Sequence, residues 1–159
     1  LPPHPNIVTL HRALETSGFL LLVLEYVPGE DLYYFLEQAR DHYEPEPPSS
    51  GMCEAVAVCH DVGVYHRDIK PENFIVTDGW EDDGERRAVV VKLTDFGLST
   101  RDAASSDMDC GSAPYMSYEC RNNCAPTYAP RAADVWSLGI VLINMYVFFS
   151  STCLIYKVI

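Results

Sequence analysis

The chain has 159 residues, enough for one domain of ordinary size, and just under half of them are apolar, so it can bury a core. Its formal charge is -12, with acid spread along its length. That balance argues against a nucleic-acid binder, which needs clustered Lys and Arg against phosphates, and describes a solvated surface instead. In chain order, Leu1 opens a stretch, LPPHPN, with no basic region followed by an apolar run, so no signal peptide is expected; a first residue other than Met reads as a piece, or as a processed or mis-bounded product. Residues 7–13 and 19–26 are β-rich runs, and Thr16-Ser17-Gly18 between them suits a hairpin loop. Pro28-Gly29 breaks the chain. From Asp31, apolar residues at Leu32, Phe35, Leu36 and Ala39 follow the i, i+3, i+4, i+7 spacing of an amphipathic helix, with Asp31 as its N-cap.

Residues 44–51 read as a loop. A second helix follows, with Met52, Ala55, Val56 and Cys59 on one face and Gly63 ending it. Two short β runs, 74–76 and 89–93, flank the polar stretch 77–87, which reads as a long surface insert. Residues 97–131 are rich in Ser, Asp, Pro and Asn and read mostly as loop. A helix beginning near Ala132 is apolar on nearly every side, which predicts a place in the middle of a core. Its apolar tract, 135–149, is interrupted by Ser137, Gly139 and Asn144 and falls short of the roughly 18 residues of a membrane span, so a buried helix is expected and no membrane partner. The six Cys include Cys120 and Cys124 as C-x-x-x-C with no second pair close behind; zinc is a weak reading beside free intracellular thiols.

The segment carrying most chemistry is His66-Arg67-Asp68-Ile69-Lys70-Pro71-Glu72-Asn73. A hydroxyl is a poor nucleophile, so a carboxylate must orient it and take its proton, and a carbonyl-bearing side chain a few residues on can hold a metal against phosphates. Asp68 fits the first role and Asn73 the second, while Lys70 can offset charge on a transferred phosphoryl group. Asp95-Phe96-Gly97 follows the β run 89–93 and resembles the D-F-G of protein kinases, which implies that Asp95 would ligate Mg²⁺ and Phe96 would pack to set its position. Further on stand Gly111-Ser112-Ala113-Pro114-Tyr115-Met116-Ser117-Tyr118-Glu119 and Asp134-Val135-Trp136-Ser137-Leu138-Gly139.

In this order the four segments resemble the protein kinase family: H-R-D-x-x-x-x-N, D-F-G, the segment that ends in A-P-E (here Ser117-Tyr118-Glu119) and D-x-W-S-x-G. Lys70 and Gly111-Ser112 resemble the serine/threonine type, and CGSAPYMSYECRNN with PRAADVWSLGIVLINM is similar to fungal kinases related to regulators that hold back meiosis. The resemblance implies an incomplete α+β kinase-like fold: a two-strand remnant of the N-terminal lobe and a partial, mostly helical C-terminal lobe. It divides the chain into 1–145, with hairpin and hinge at 4–26 and lower lobe at 27–145, and a tail at 146–159 outside the family pattern. It implies ATP and Mg²⁺, protein substrates, and a place in the cytoplasm or nucleus. It places Leu24 as gatekeeper, the Glu25 carbonyl and Val27 amide against adenine, Asp31 at the ribose and Ile75 under the ring. His66, Arg67, Phe96, Glu119 and Asp134 become supporting residues, Asp134 behind the catalytic loop. Ser99, Thr100, Ser105 and Ser106 fall where phosphorylation would act through Arg67, and Asp102, Asp107 and Asp109 are alternative sources of negative charge there.

The sequence departs from the family in having no G-x-G-x-x-G, no V-A-I-K lysine and no glutamate-bearing partner helix, and Pro47-Pro48-Ser49-Ser50 stands where the helix before the catalytic loop should begin. The family pattern pairs Glu119 with an arginine in helices that do not follow here. The expectation is a serine/threonine kinase whose activity this chain alone does not show; the alternative is a non-catalytic remnant. A small-molecule phosphotransferase is disfavoured by Lys70, Ser112 and the D-V-W-S-L-G helix.

Overall fold

The structure is a computed structural model that describes residues 1–39, 49–80 and 87–156. Residues 44–48 of the expected loop and the tip of the insert expected at 77–87 lie outside the described residues, while Ser49, Ser50 and Gly51, read as loop, are the first turn of a helix instead. Strand β1 (Leu10–Glu15) and strand β2 (Leu20–Leu24) pair antiparallel, from Leu10 opposite Leu24 to Glu15 opposite Leu20. The turn is closed by Thr16, whose hydroxyl donates to the Phe19 carbonyl at 3.1 Å and accepts the Phe19 amide at 3.0 Å. Both strands begin later than the sequence predicts. Ile7 and Val8 belong to another ladder: the Val8 amide donates to Leu93 O at 2.9 Å and the Leu93 amide to Asn6 O at 2.8 Å. Burial of Ile7 in the core decides this, because joining the hairpin would leave its side chain exposed like the hairpin's own.

Short β3 (Glu30–Asp31) leads into helix α1 (Leu32–Ala39). The Asp31 carboxylate accepts the Tyr34 amide at 2.9 Å, satisfying one of the orphan donors of the first turn. Leu32 and Leu36 are buried. Helix α2 (Ser49–Asp61) buries Met52, Ala55, Val56 and Cys59 as its spacing predicts, and His60 as well. It ends at Gly63, whose φ of +68° is left-handed and whose amide caps the His60 carbonyl.

After a 3₁₀ turn (Pro71–Asn73), β4 (Phe74–Trp80) and β5 (Arg87–Leu93) pair antiparallel, and β3 pairs with β4, giving sheet order β3-β4-β5. The ladder continues from Phe74 opposite Leu93 to Trp80 opposite Arg87. The polar residues 77–80 are therefore strand rather than loop: cross-strand backbone pairing extends this hairpin beyond its apolar part. The short helix α3 (Tyr118–Arg121) and the long helix α4 (Pro130–Tyr156) complete the chain, with Pro130 in the first turn, where its missing N–H costs nothing.

One core joins Ile7, Leu32, Leu36, the α2 face, Ile69, Phe74, Val91, Leu93 and the inner face of α4. The prediction that α4 is buried all round is corrected. Ala133, Asp134, Ser137, Leu138, Val141 and Met145 form a buried stripe, while Val135, Trp136, Ile143, Tyr146 and Val147 on the other side are exposed. An apolar surface is buried only where something packs on it, and among the described residues nothing covers that side. No helix of the described residues is long and apolar enough to cross a membrane.

Candidate active site

The loop between α2 and β4 holds Asp68, and its side chain is the centre of a small polar network. Lys70 Nζ lies 2.8 Å from Asp68 Oδ2, and Asn73 Nδ2 donates to Asp68 O at 2.8 Å and to Oδ2 at 3.2 Å. Ser112 closes a triangle: its hydroxyl donates to Asp68 Oδ1 at 2.8 Å and accepts from Lys70 Nζ at 2.9 Å. Burial alone would raise the Asp68 pKa, but the bonds from Lys70, Ser112 and Asn73 outweigh it and hold the carboxyl below its usual range. Asp68 is thus an anion at neutral pH, fixed in orientation at three points.

Two elements hold the loop in place. From α4, Asp134, almost fully buried, accepts the Arg67 amide on Oδ1 at 2.7 Å and the His66 amide on Oδ2 at 2.8 Å. From α2, His60 Nε2 lies 2.9 Å from the same Oδ2. One buried carboxylate therefore satisfies two backbone donors in a loop that has no helix or sheet to do so. Arg67 has φ +67° and Asp95 φ +58°, left-handed conformations that cost a side-chain-bearing residue about 1–3 kcal/mol each and persist only where the surroundings enforce them.

His66 couples this loop to the segment after β5. Its Nε2 donates to the Thr94 carbonyl at 3.0 Å, so Nδ1 is free to accept the Asp68 amide at 3.3 Å. Burial lowers its pKa, which favours the neutral ring this arrangement requires. The ring also meets Phe96 edge-on, with centroids 4.9 Å apart. The Thr94 amide donates to Asn73 O at 2.9 Å, so Asp95 follows a residue tied to both His66 and Asn73. Asp68, Asn73 and Asp95 thus lie on one connected framework. Asp95 is exposed, and its Oδ1 accepts the Gly97 amide at 3.2 Å.

Gly111 explains how Ser112 reaches Asp68. Its φ is +112°, and a side chain there would run into the Arg67 carbonyl oxygen at 2.5 Å. Only glycine lets the two segments approach so closely.

The residues expected to meet a nucleotide are less tightly gathered. Leu24 is exposed on β2 and borders a cavity of about 530 Å³ that Ile7, Leu22, Val64, Asp95 and Phe96 also line. Glu25 directs its carboxylate to Lys92 Nζ at 2.8 Å and to the Thr9 amide at 3.0 Å, and the bond to Lys92 lowers its pKa. Val27 is half-buried just beyond β2. Asp31 pairs with Ile75 across β3 and β4, and its side chain is occupied in capping α1. None of Glu25, Val27, Asp31 and Ile75 lines the cavity that Leu24 and Asp95 share.

The activation-segment candidates divide by environment. The Ser99 hydroxyl donates to Phe96 O at 2.8 Å, and Thr100 Oγ1 donates to Asp102 at 3.2 Å. Ser105 is buried and Ser106 exposed. Glu119 is half-buried in the first turn of α3. Cys120 is buried with its thiol on the Cys110 carbonyl at 3.7 Å, while Cys124 is exposed.

Two site residues escape the sequence pattern. Ser112 reads there only as a mark of type, and His60 not at all. His60 stands four residues after Val56, on the buried face of α2; a polar residue at an apolar spacing was the available signal.

A family model described as protein kinase domain matches residues 1–152. The chain is 36% identical to the "Negative regulator of sexual conjugation and meiosis" of Schizosaccharomyces pombe, covering 89% of this chain and 34% of that protein. It is 38% identical to the "Serine/threonine-protein kinase ksp1" of the same organism, covering 89% and 31%, and 31% identical to the "Probable serine/threonine-protein kinase FMP48" of Saccharomyces cerevisiae, covering 88% and 42%. The chain spans about a third of the length of the first two and somewhat more of the third. With the Asp68 network held on Asp134 and the family match running over nearly its whole length, the chain belongs to the protein kinase family.

Proposed function

We propose that the chain supplies the catalytic loop and metal-holding residues of a protein serine/threonine kinase, which transfers the γ-phosphoryl group of ATP to Ser or Thr hydroxyls of protein substrates. The observation that carries this is the triangle of Asp68, Lys70 and Ser112, with Asn73 bonded to the same carboxylate. Asp68 orients the acceptor hydroxyl and receives its proton. Its lowered pKa makes it a weak base, which suits a transfer whose protein contribution is mainly positioning and charge. Lys70 offsets charge on the phosphoryl group in flight, and Ser112 keeps Lys70 and Asp68 in register.

The donor set suits Mg²⁺. Asn73 spends its amide nitrogen on Asp68, and its Oδ1 accepts no hydrogen bond among the described residues; Asp95 has a carboxylate oxygen beyond the one on Gly97. One carboxylate and one amide oxygen, with phosphates completing the shell, are what Mg²⁺ takes in such sites. When bound, Mg²⁺ supplies positive charge to the phosphates. His66, Arg67, Phe96, Glu119 and Asp134 hold this assembly. Leu24, Glu25, Val27, Asp31 and Ile75 form the nucleotide side by likeness to the family, with 4–26 as hairpin and hinge, 27–145 as lower lobe and 146–159 as a tail. Five free cysteines among the described residues suit a reducing compartment, cytoplasm or nucleus. The charge of -12 disfavours a nucleic-acid partner.

The test is radiolabelled phosphate transfer to a protein substrate by a polypeptide that carries this chain together with a glycine-loop-bearing upper lobe and lower-lobe helices. Asp68→Asn should remove transfer. No transfer from a folded protein would move the chain to the alternative reading, a binding remnant, and equal transfer with and without Asp68 would overturn the role given to Asp68.

A further inference from the structure

Beside the catalytic loop, the segment that carries α3 meets the first turn of α4 around a small second core of Cys120, Tyr128 and Ala133. Two hydroxyls are buried there. Ser117 is 1% exposed and Tyr128 4%, and neither Ser117 Oγ nor Tyr128 OH has a hydrogen-bond partner among the described residues. Buried polar groups left so are rare and costly. Both residues line one cavity of about 10 Å³, which Arg67, Cys110, Met116 and Ser137 also border. That is room for a single water molecule and too little for a larger ligand. We infer that the cavity is the binding site of one structural water, which bridges Ser117 Oγ and Tyr128 OH and so ties the two ends of segment 117–128 to each other.

Cavities that stay dry are apolar, and this one is not. Ser117 stands where the kinase pattern has the alanine of A-P-E, so this chain buries a hydroxyl at a place the pattern leaves apolar. It precedes α3 as its N-cap, yet its side chain makes no capping bond to the first turn. The other polar groups around the cavity are already spent. Ser137 Oγ donates to Tyr115 O at 2.8 Å and to Ala133 O at 3.0 Å, the Cys120 thiol is on Cys110 O, and Asp134 holds the His66 and Arg67 amides. Arg67 offers a third partner. Its Nε donates to Leu98 O at 2.6 Å and its NH1 lies 2.9 Å from Asp107 Oδ2, while its NH2 makes no hydrogen bond among the described residues. Burial pushes the Tyr128 hydroxyl up to about 12 against the opposing pull of the Arg67 guanidinium, which is near it but not at hydrogen-bond geometry. Polar groups that act on each other across such a gap are those a water joins. With two hydrogens and two lone pairs, one water serves both hydroxyls whichever way each O–H turns, and keeps a place for Arg67. The site depends on the packing of this chain and stands apart from the kinase reading.

Chemical denaturation of the 159-residue chain separates bridged hydroxyls from orphaned ones. Removing an orphan relieves an unmet desolvation cost, so Ser117→Ala and Tyr128→Phe would then leave the unfolding constant unchanged or lower it. On a shared water, each variant should instead raise the unfolding constant about 3- to 10-fold, the net worth of one hydrogen bond. The double variant should raise it by less than the product of the two, because either change alone already breaks the bridge. A crystal structure of the chain identifies the shared partner: one water within about 2.7–3.2 Å of both oxygens, lost or weakened in Tyr128→Phe. The parent crystal decides this even where a variant folds poorly. The inference is overturned if the single variants are as stable as the parent or more so, or if their effects multiply independently. It is equally overturned if the two hydroxyls bond each other or another protein group with no water between them.

Discussion

The β1–β2 hairpin and the catalytic loop make opposite uses of their side chains. Every residue of both hairpin strands is exposed, including Leu14, Leu20, Leu21 and Leu22, so its apolar side chains contribute almost nothing to burial among the described residues. The catalytic loop is polar, yet its donors and acceptors are matched: Asp134, His60, Thr94, Asn73, Lys70 and Ser112 each meet a partner in or beside it. The hairpin is backbone pairing without a core, and two strands alone are marginal in water. The loop is irregular backbone made rigid by side chains from distant segments. Apolar content therefore says little here about which region is well determined; partners decide it.

The largest effect that would break this contrast is catalytic. The 159 residues alone should transfer no phosphate above background, because no lysine or glycine loop among them fixes a nucleotide beside the bare hairpin. Joined to an upper lobe carrying both, the chain should be active, and Asp68→Asn should lower the transfer rate by about 10²- to 10⁴-fold. Undiminished transfer by the chain alone would show that the hairpin needs no cover.

Next comes the support of the loop. Asp134→Ala leaves the His66 and Arg67 amides buried without acceptors and removes the partner of His60, and should cost about 3–5 kcal/mol in chemical denaturation. A cost below about 1 kcal/mol would mean that water or a shifted loop replaces the carboxylate easily.

A smaller effect follows pH. Burial holds the native pKa of His66 below its ordinary 6.5, so the unfolded chain takes the proton first as pH falls. The contribution of His66 is fully present above about 6.5 and shrinks below it by at most about 1.4 kcal/mol per pH unit, until the native pKa is reached. His66→Gln should flatten that part of the stability profile between pH 7 and 5.

The smallest effect sharpens the contrast from the other side. Leu20→Ser and Leu22→Ser should each change stability by less than about 0.5 kcal/mol, as exposed positions do, while reducing self-association measured by light scattering. A loss of several kcal/mol would mean that the hairpin is packed in solution.

The sequence by itself determined what is local. Asp68, Lys70 and Asn73 fall in one loop because eight residues span it, and the buried faces of α1 and α2 follow from their 3.6-residue spacing. Only tertiary structure decided what crosses the chain. Ser112 meets Asp68 across 44 positions and His60 meets Asp134 across 74, and no spacing rule links them. It also selected Asp107 over Asp102 and Asp109 as the partner of Arg67, moved Ile7 from the hairpin to Leu93, and buried one side of α4 where the sequence is apolar all round. The physical reason is the same in each case. Periodicity states which surfaces could be buried and which groups need partners, but burial and hydrogen bonding are properties of pairs, and the second member of each pair is chosen by the path of the backbone.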